Sequence, residues 1–450
     1  MSSVDAQFER SCVVVGADRT YVRWLMLALI FTITTVLYAD RSSVAIVGPV
    51  ISKDLGLTPS QMGLVFSAFG WSYVIFMIPS GWMLDKFGTR MIYGGCLALW
   101  SLFTVMQGFV GFVASGLAIG VLFVLRFLVG MAESPSFPGN SRVVSSWFPS
   151  KERATASAIF NSAQYFATVV FAPIMGWITT FFGWPWVFGM TGGLGVVLTL
   201  TWLKVAGSPV DSEAANQAEI DYIAAGGGLV RMDQAAVKTK DVAEWGFLGQ
   251  LLRNRMMVGI FIGQYCINAI TYFFLTWFPV YLVQARGMTI LKAGFLAMLP
   301  AICGFLGGIL GGIVSDWMLR RGYSLSVARK TPIVLGMTVS MAMIACNYTD
   351  LHALIIVLMA LSFFGKGFGA LGWAVISDAA PREIIGLAGA VFNTCGSLSA
   401  ISTPLIIGVI IQATGSFNGA LVFVAANGLA AAISYLFVVG EIKRMVLVKH

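Results

Sequence analysis

Charge is what this sequence has least of. Only 11% of its 450 residues are Asp, Glu, Lys or Arg, where a soluble domain carries about a quarter. With 58% hydrophobic residues, most of the chain must face something other than water. Histidine is nearly absent too: His352 and His450 are the only two. They fall in a loop and at the C-terminus, so no metal site is expected. Neither His-x-x-Glu-His nor Gly-x-Ser-x-Gly occurs, which argues against an intramembrane enzyme, and no cofactor is expected. The tract Gly226-Gly227-Gly228 lacks the Lys-Ser/Thr of a phosphate-cradling loop and reads as a flexible connection. Of six cysteines, Cys96, Cys266, Cys303, Cys346 and Cys395 lie in apolar segments. They read as small buried hydrophobes rather than a disulfide framework. Residues 1–20 are polar with both signs of charge, so no secretory signal is expected.

What the chain does have is a series of long apolar runs between Tyr21 and Val439. Each is long enough to cross a hydrocarbon core of ~30 Å. Backbone groups in lipid must pair internally, so these runs are helices. The expected spans are 22–48, 60–84, 91–111, 117–142, 154–182, 185–206, 256–284, 290–317, 331–348, 352–377, 384–412 and 418–439. The fold class is therefore all-α and polytopic, with twelve transmembrane helices. A polar stretch, 207–254, divides them into six-helix halves, 22–206 and 255–440, flanked by short segments 1–21 and 441–450. Fifty glycines suit helices that approach closely in lipid. The net charge of +8 is unevenly placed. With both termini inside, the inner loops collect most of the Lys and Arg, and the outer side keeps only Lys53, Arg286 and Lys292. That asymmetry matches the positive-inside rule and places both termini in the cytoplasm. It also accounts for the basic character without a nucleic-acid partner.

The two halves repeat. Pro149 is followed twelve positions later by Asn161, and Pro381 by Asn393. Pro173 and Gly176 answer Pro404 and Gly408, and Gly81-x-x-x-Asp85 answers Gly312-x-x-x-Asp316. All these offsets are 231 or 232 residues. One six-helix unit occurs twice, an arrangement that puts a substrate site at the repeat interface near midplane.

Gly81-Trp-Met-Leu-Asp85-Lys86-Phe-Gly88-Thr-Arg90 resembles the signature loop of the major facilitator superfamily. Three narrower stretches resemble the anion:cation symporter family of sugar-acid permeases. They are Tyr38-Ala-Asp40-Arg41, Phe66-Ser-Ala-Phe-Gly-Trp-Ser-Tyr73, and Gly130-Met-Ala-Glu133-Ser-Pro135-Ser-Phe-Pro138-Gly-Asn140-Ser-Arg142. Within that family the chain is most similar to bacterial glucarate/galactarate permeases. The likeness is carried by Phe160-Asn-Ser-Ala-Gln164-Tyr-Phe-Ala-Thr168, Gly263-Gln-Tyr-Cys-Ile-Asn268 and Phe364-Gly-Lys366-Gly367. Ala39 and Ser134 depart from the pattern, where Gly and Ala are expected, without altering charge. The resemblance implies a monomeric multi-pass protein of the bacterial inner membrane that moves a dicarboxylate sugar acid.

Five ionisable residues fall deep inside predicted helices: Asp40, Arg41, Arg126, Glu133 and Lys366. Each costs at least ~2.5–3.5 kcal/mol at the bilayer centre, so each should face a polar cavity or a partner. Asp40, Glu133 and Arg126 are the candidates for proton coupling, and Arg41 and Lys366 for the two carboxylates. The competing reading is a fixed set of ion pairs that merely joins helices 1 and 4. Lys366 has no acid near it in its own half, so it awaits an anion. The five charges sum to +1; protonating Asp40 and Glu133 gives +3, and a dianion returns the sum to +1. Tyr38, Tyr73, Gln164, Gln264, Asn268, Tyr272, Trp373 and Asn393 would complete a hydroxyl-rich site with amide and phenol partners. Asp85, Arg90, Arg142 and Asp316, near the inner ends, read as inter-helix latches. These features favour a proton-coupled hexarate symporter. The alternatives are another sugar acid, such as galactonate, or an organic-phosphate antiporter. The latter would want an arginine in each half, and the second half offers only Lys366.

Overall fold

The computed structural model describes residues 19–231, 244–381 and 384–447. Arg382 and Glu383, part of the repeat, lie outside these residues, as does the side chain of Asp85. Twelve long helices are found: α1 Val22–Asp54, α2 Pro59–Phe87, α3 Thr89–Gln107, α4 Ser115–Glu133 resuming as Ser136–Trp147, α5 Arg153–Phe181, α6 Pro185–Val205, α7 Arg255–Thr276, α8 Ile290–Arg320, α9 Leu325–Ser340, α10 His352–Gly367 resuming as Gly372–Ala379, α11 Ile385–Ser397 resuming as Ser399–Thr414, and α12 Asn418–Ile433. Side chains cap several of them. Thr58 and Gln61 form a reciprocal capping box at α2, and Asn254, Thr289 and Ser324 accept backbone N–H groups at α7, α8 and α9. Each cap satisfies donors that a helix start leaves open.

Eleven of these spans are long and apolar enough to cross a membrane. The exception is α3, which carries Arg90 and Gln107 and turns a polar face inward. Its Tyr93, Trp100, Thr104 and Gln107 are all buried. α4 and α10 are each interrupted, at Ser134–Pro135 and at a tight turn over Phe368–Leu371. The predicted continuous helices 4 and 10 are therefore corrected to broken ones. The breaks stand within a few residues of equivalent repeat positions, the first directly after Glu133 and the second after Gly367, the residue that follows Lys366.

The two units meet most closely at the end away from the basic loops. There backbone lies on backbone. A Cβ on Gly408 would sit 2.7 Å from Pro59 O, one on Gly63 2.5 Å from Pro404 O, and one on Gly294 2.7 Å from Ala172 O. The Ser60 amide donates to Gln412 Oε1 at 3.1 Å and Gln284 Nε2 to Ser52 Oγ at 3.4 Å. Small residues are what permit this approach.

At the basic end the polar linker is more ordered than its composition suggests. A short helix, Gln217–Ala225, brings Glu219 beneath the start of α1. The Glu219 carboxylate accepts from Thr20 Oγ1 at 2.7 Å, from the amides of Val22 and Arg23, and from Arg23 Nη1 at 3.0 Å. It thereby caps α1 and holds a buried guanidinium at once. The Gly226–Gly228 tract is bonded rather than a flexible connection. Gly226 O accepts from the Ser150 amide at 2.8 Å, and Gly228 N donates to Ile223 O at 2.8 Å. Gly227 takes φ +82° there, a conformation only glycine adopts cheaply.

Candidate functional site

Asp40 and Arg41 are adjacent on α1 and so point to different neighbours. Arg41 Nε donates to Glu133 Oε2 at 2.6 Å. Its guanidinium lies over the rings of Tyr38, Phe69 and Tyr73, with centroids 4.5, 4.7 and 4.9 Å away. Asp40 turns instead toward α3 and α4, where Arg126 Nη1 (3.3 Å) and Trp100 Nε1 (3.4 Å) donate to its Oδ2. Phe69 also lies 5.8 Å from the Arg126 guanidinium. The result is two buried ion pairs that share one aromatic ring. Arg126 and Glu133, seven residues apart, both reach α1, as two helical turns require. The pairing offsets a desolvation penalty of several kcal/mol per ion. It is incomplete, because Asp40 Oδ1, Glu133 Oε1 and Arg126 Nε have no hydrogen-bond partner among the described residues. Each carboxylate can thus take a proton without first losing its arginine.

Lys366 is in a different position. It is the penultimate residue of the first segment of α10 and is 8% exposed. Its Nζ lies 5.1 Å from the Phe363 ring centroid and 5.8 Å from that of Tyr165, across the unit interface. Among the described residues no carboxylate pairs with it. The carbonyls at the end of its helix and two ring faces are what favour the cation. Beside it, between the units, is a cavity with an empty volume of about 620 Å³ that includes open solvent. Tyr38, Gln164, Tyr165, Thr168, Phe274 and Phe363 are among its walls. Tyr272 interacts electrostatically with Arg41 from the second unit.

Other expected site residues lie elsewhere. Gln264 and Asn268 pack against Gly396 of α11, where any side chain would strike the Asn268 amide. Asn393 Nδ2 is 3.5 Å from Met77 Sδ, a contact across the units. Trp373 lies beyond the break in α10, half exposed and edge-on to Phe392 at 4.9 Å. Among the latch candidates, Arg90 Nη2 donates to Leu203 O at 2.5 Å and Arg142 Nε to Thr89 Oγ1 at 3.0 Å. Asp316 pairs with Arg329 at 3.5 Å, which also binds Asp378 at 2.9 Å. These contacts join helices within one unit. Sequence reasoning missed Arg329 and Asp378, along with Phe69, Trp100, Tyr165 and Phe363. Phe69 is four residues before Tyr73 and Phe363 three before Lys366, so helical spacing could have placed both. No group of three His, Cys, Asp or Glu that could hold a metal occurs among the described residues.

The sequence profile described as Major Facilitator Superfamily matches residues 30–328. The chain belongs to that superfamily. Among its relatives is the probable galactarate/D-glucarate transporter GudP of Bacillus subtilis (strain 168), 57% identical over 97% of this chain and 96% of that protein. Another is the probable galactarate/D-glucarate transporter GarP of Escherichia coli (strain K12), 52% identical over 95% and 97%. The solved D-xylose-proton symporter superposes with a TM-score of 0.71 at 15% identity, over 94% of this chain and 99% of that one. The repeated six-helix units are thus those of a major facilitator transporter, a multi-pass membrane protein with a small-molecule cavity between its halves.

Proposed function

We propose that this chain is a proton-coupled symporter that imports hexarate dianions, galactarate or glucarate, by alternating access. In this reading it sits in the bacterial inner membrane with the basic end and both termini in the cytoplasm, and it works as a monomer. The observation that carries the reading is Lys366. It is a buried cation beside the cavity with no acid partner among the described residues, while Arg41 and Arg126 of the first unit are each held by an acid. The relatives' names point to the same substrates. The cavity walls Tyr38 and Tyr165 touch Arg41 and Lys366 respectively, so the two carboxylates of a diacid in the cavity would be directed one to each cation. The second carboxylate would displace Glu133 from Arg41, and a protonated Glu133 would make that exchange easier. A dianion arriving with two protons leaves the buried charge unchanged, which a low dielectric favours. The zipped end would be the extracellular side, closed in this arrangement.

The test is uptake of labelled galactarate, glucarate and galactonate into proteoliposomes, with pH and Na⁺ gradients imposed separately. Hexarate accumulation driven by an acid exterior alone is expected. Accumulation that follows Na⁺ and ignores pH would overturn the coupling, and preference for galactonate would overturn the substrate.

A further inference from the structure

Asp40 does not face the cavity. Tyr38, Ser42 and Ile46, spaced four apart on α1, line the cavity, and Asp40 is about 200° around the helix from Tyr38. It is fully buried, and the charged groups around it are Arg126 and Glu133 from α4 and Arg41 beside it. A proton bound there has no direct route through the substrate chamber.

The inward face of α3 supplies another. Trp100, Thr104 and Gln107 follow one another along that face toward the zipped end, over about 10 Å of axis. Trp100 donates to Asp40, and Thr104 sits beside the same carboxylate. The Thr104 hydroxyl interacts with nothing but that carboxylate among the described residues, and both polar atoms of Gln107 and Asp40 Oδ1 close no hydrogen bond there, although all three side chains are 0% exposed. Toward the basic end the same face is different. Tyr93 OH donates to Asn140 Oδ1 at 2.9 Å, and Asn140 Nδ2 donates to Thr34 Oγ1 at 2.8 Å. The stripe is closed by direct bonds on one side of Asp40 and unsatisfied on the other. Buried amides and hydroxyls of this kind are ordinarily satisfied by water.

We propose that Thr104 and Gln107 hold a short chain of water that carries protons between the zipped face and Asp40, apart from the substrate path. This rests on the symport reading above and adds to it a separate entrance for one proton. It also gives α3 a reason to keep a polar stripe on its buried face.

Thr104→Val and Gln107→Leu remove the polar atoms at nearly constant volume. In proteoliposomes, galactarate uptake driven by an acid exterior is compared with galactarate counterflow at equal pH. The ratio of the two rates is expected to fall about tenfold or more in each variant, the scale of a lost proton-transfer group. Thr104→Ser, which keeps the hydroxyl, should restore it. Equal loss of both activities would overturn the inference, since it would mark a packing role, and so would an unchanged ratio. If the wild type itself shows no pH-driven uptake, the symport reading fails and this inference falls with it. A wild type driven by pH with indifferent variants would sink the α3 route alone.

Discussion

Glu133 has one oxygen bound to Arg41 and one without a partner, so the neutral amide of Glu133→Gln can imitate its protonated form. That variant should still exchange hexarate for hexarate across the membrane but fail to accumulate it under an inward proton gradient. Undiminished gradient-driven accumulation would remove Glu133 from the coupling. Lys366 argues at the same scale. Lys366→Asn would leave one end of a dianion desolvated and unpaired, at about 2–5 kcal/mol, or roughly 30- to several-thousand-fold in affinity. A hexonate, with a neutral group at that end, should lose little. Competition of galactarate and galactonate against labelled galactarate, in wild type and variant, reads the difference; equal loss for both would make Lys366 structural. The five intramembrane charges were legible in the sequence because each is costly in lipid. Their pairing was not. Asp40 could have chosen Arg126, Arg41 or the cavity, and Arg41 could have chosen Glu133, Asp40 or the cavity; only the rotation of α1 decides among them. Phe69, near two guanidinium groups, could be placed on the face of Tyr73 by its spacing, but an apolar ring in an apolar helix carries no signal of which charges it meets.

At the scale of elements, the number and order of helices could be read from apolar run length, and the halves from the 231–232 offset. The interruptions in α4 and α10 could not. Ser134–Pro135 hinted at the first, but Phe368–Leu371 contains no proline and looks continuous. Its turn is set by contact with α8, where Gly307 and Gly367 admit the neighbouring backbone. The linker was misread for a related reason: polar composition says nothing of Glu219 folding back under α1. Glu219→Gln would leave the buried Arg23 with Glu152 alone, at 3.2 Å. Losing one partner of a buried pair costs about 3 kcal/mol or more. The short helix should therefore detach, seen as faster proteolytic cleavage within 207–254 at unchanged membrane insertion. Cleavage at the wild-type rate would mean that the docking is held by the Gly226 and Leu229 backbone bonds instead.

For the whole molecule, the alternating-access reading makes the zipped end one of two arrangements that the carrier would visit. Its contacts leave no space for side chains, so they offer a direct handle on that equilibrium. Gly408→Leu would drive a branched side chain against Pro59 and Gly63, where overpacking costs about 1–3 kcal/mol. That shifts the population away from this arrangement by roughly 5- to 150-fold. The check is accessibility of a cysteine placed at Ser42 to an impermeant thiol reagent added from the zipped side, which should rise. Labelling at the wild-type rate would show that the glycine contact does not control closure.

That same seam has an electrical meaning. A water-filled chamber conducts, whereas glycine backbone packed on glycine backbone does not. Were the chamber to open toward the basic end, most of the membrane voltage would fall across the thin strip of Gly63, Gly408, Gly294 and their neighbours. A charge that crosses the strip gains or loses about 2.3 kcal/mol per 100 mV. A dianion that moves with two protons is silent to that field. A third proton would make each cycle a current, and the voltage would then drive uptake even with no difference in pH.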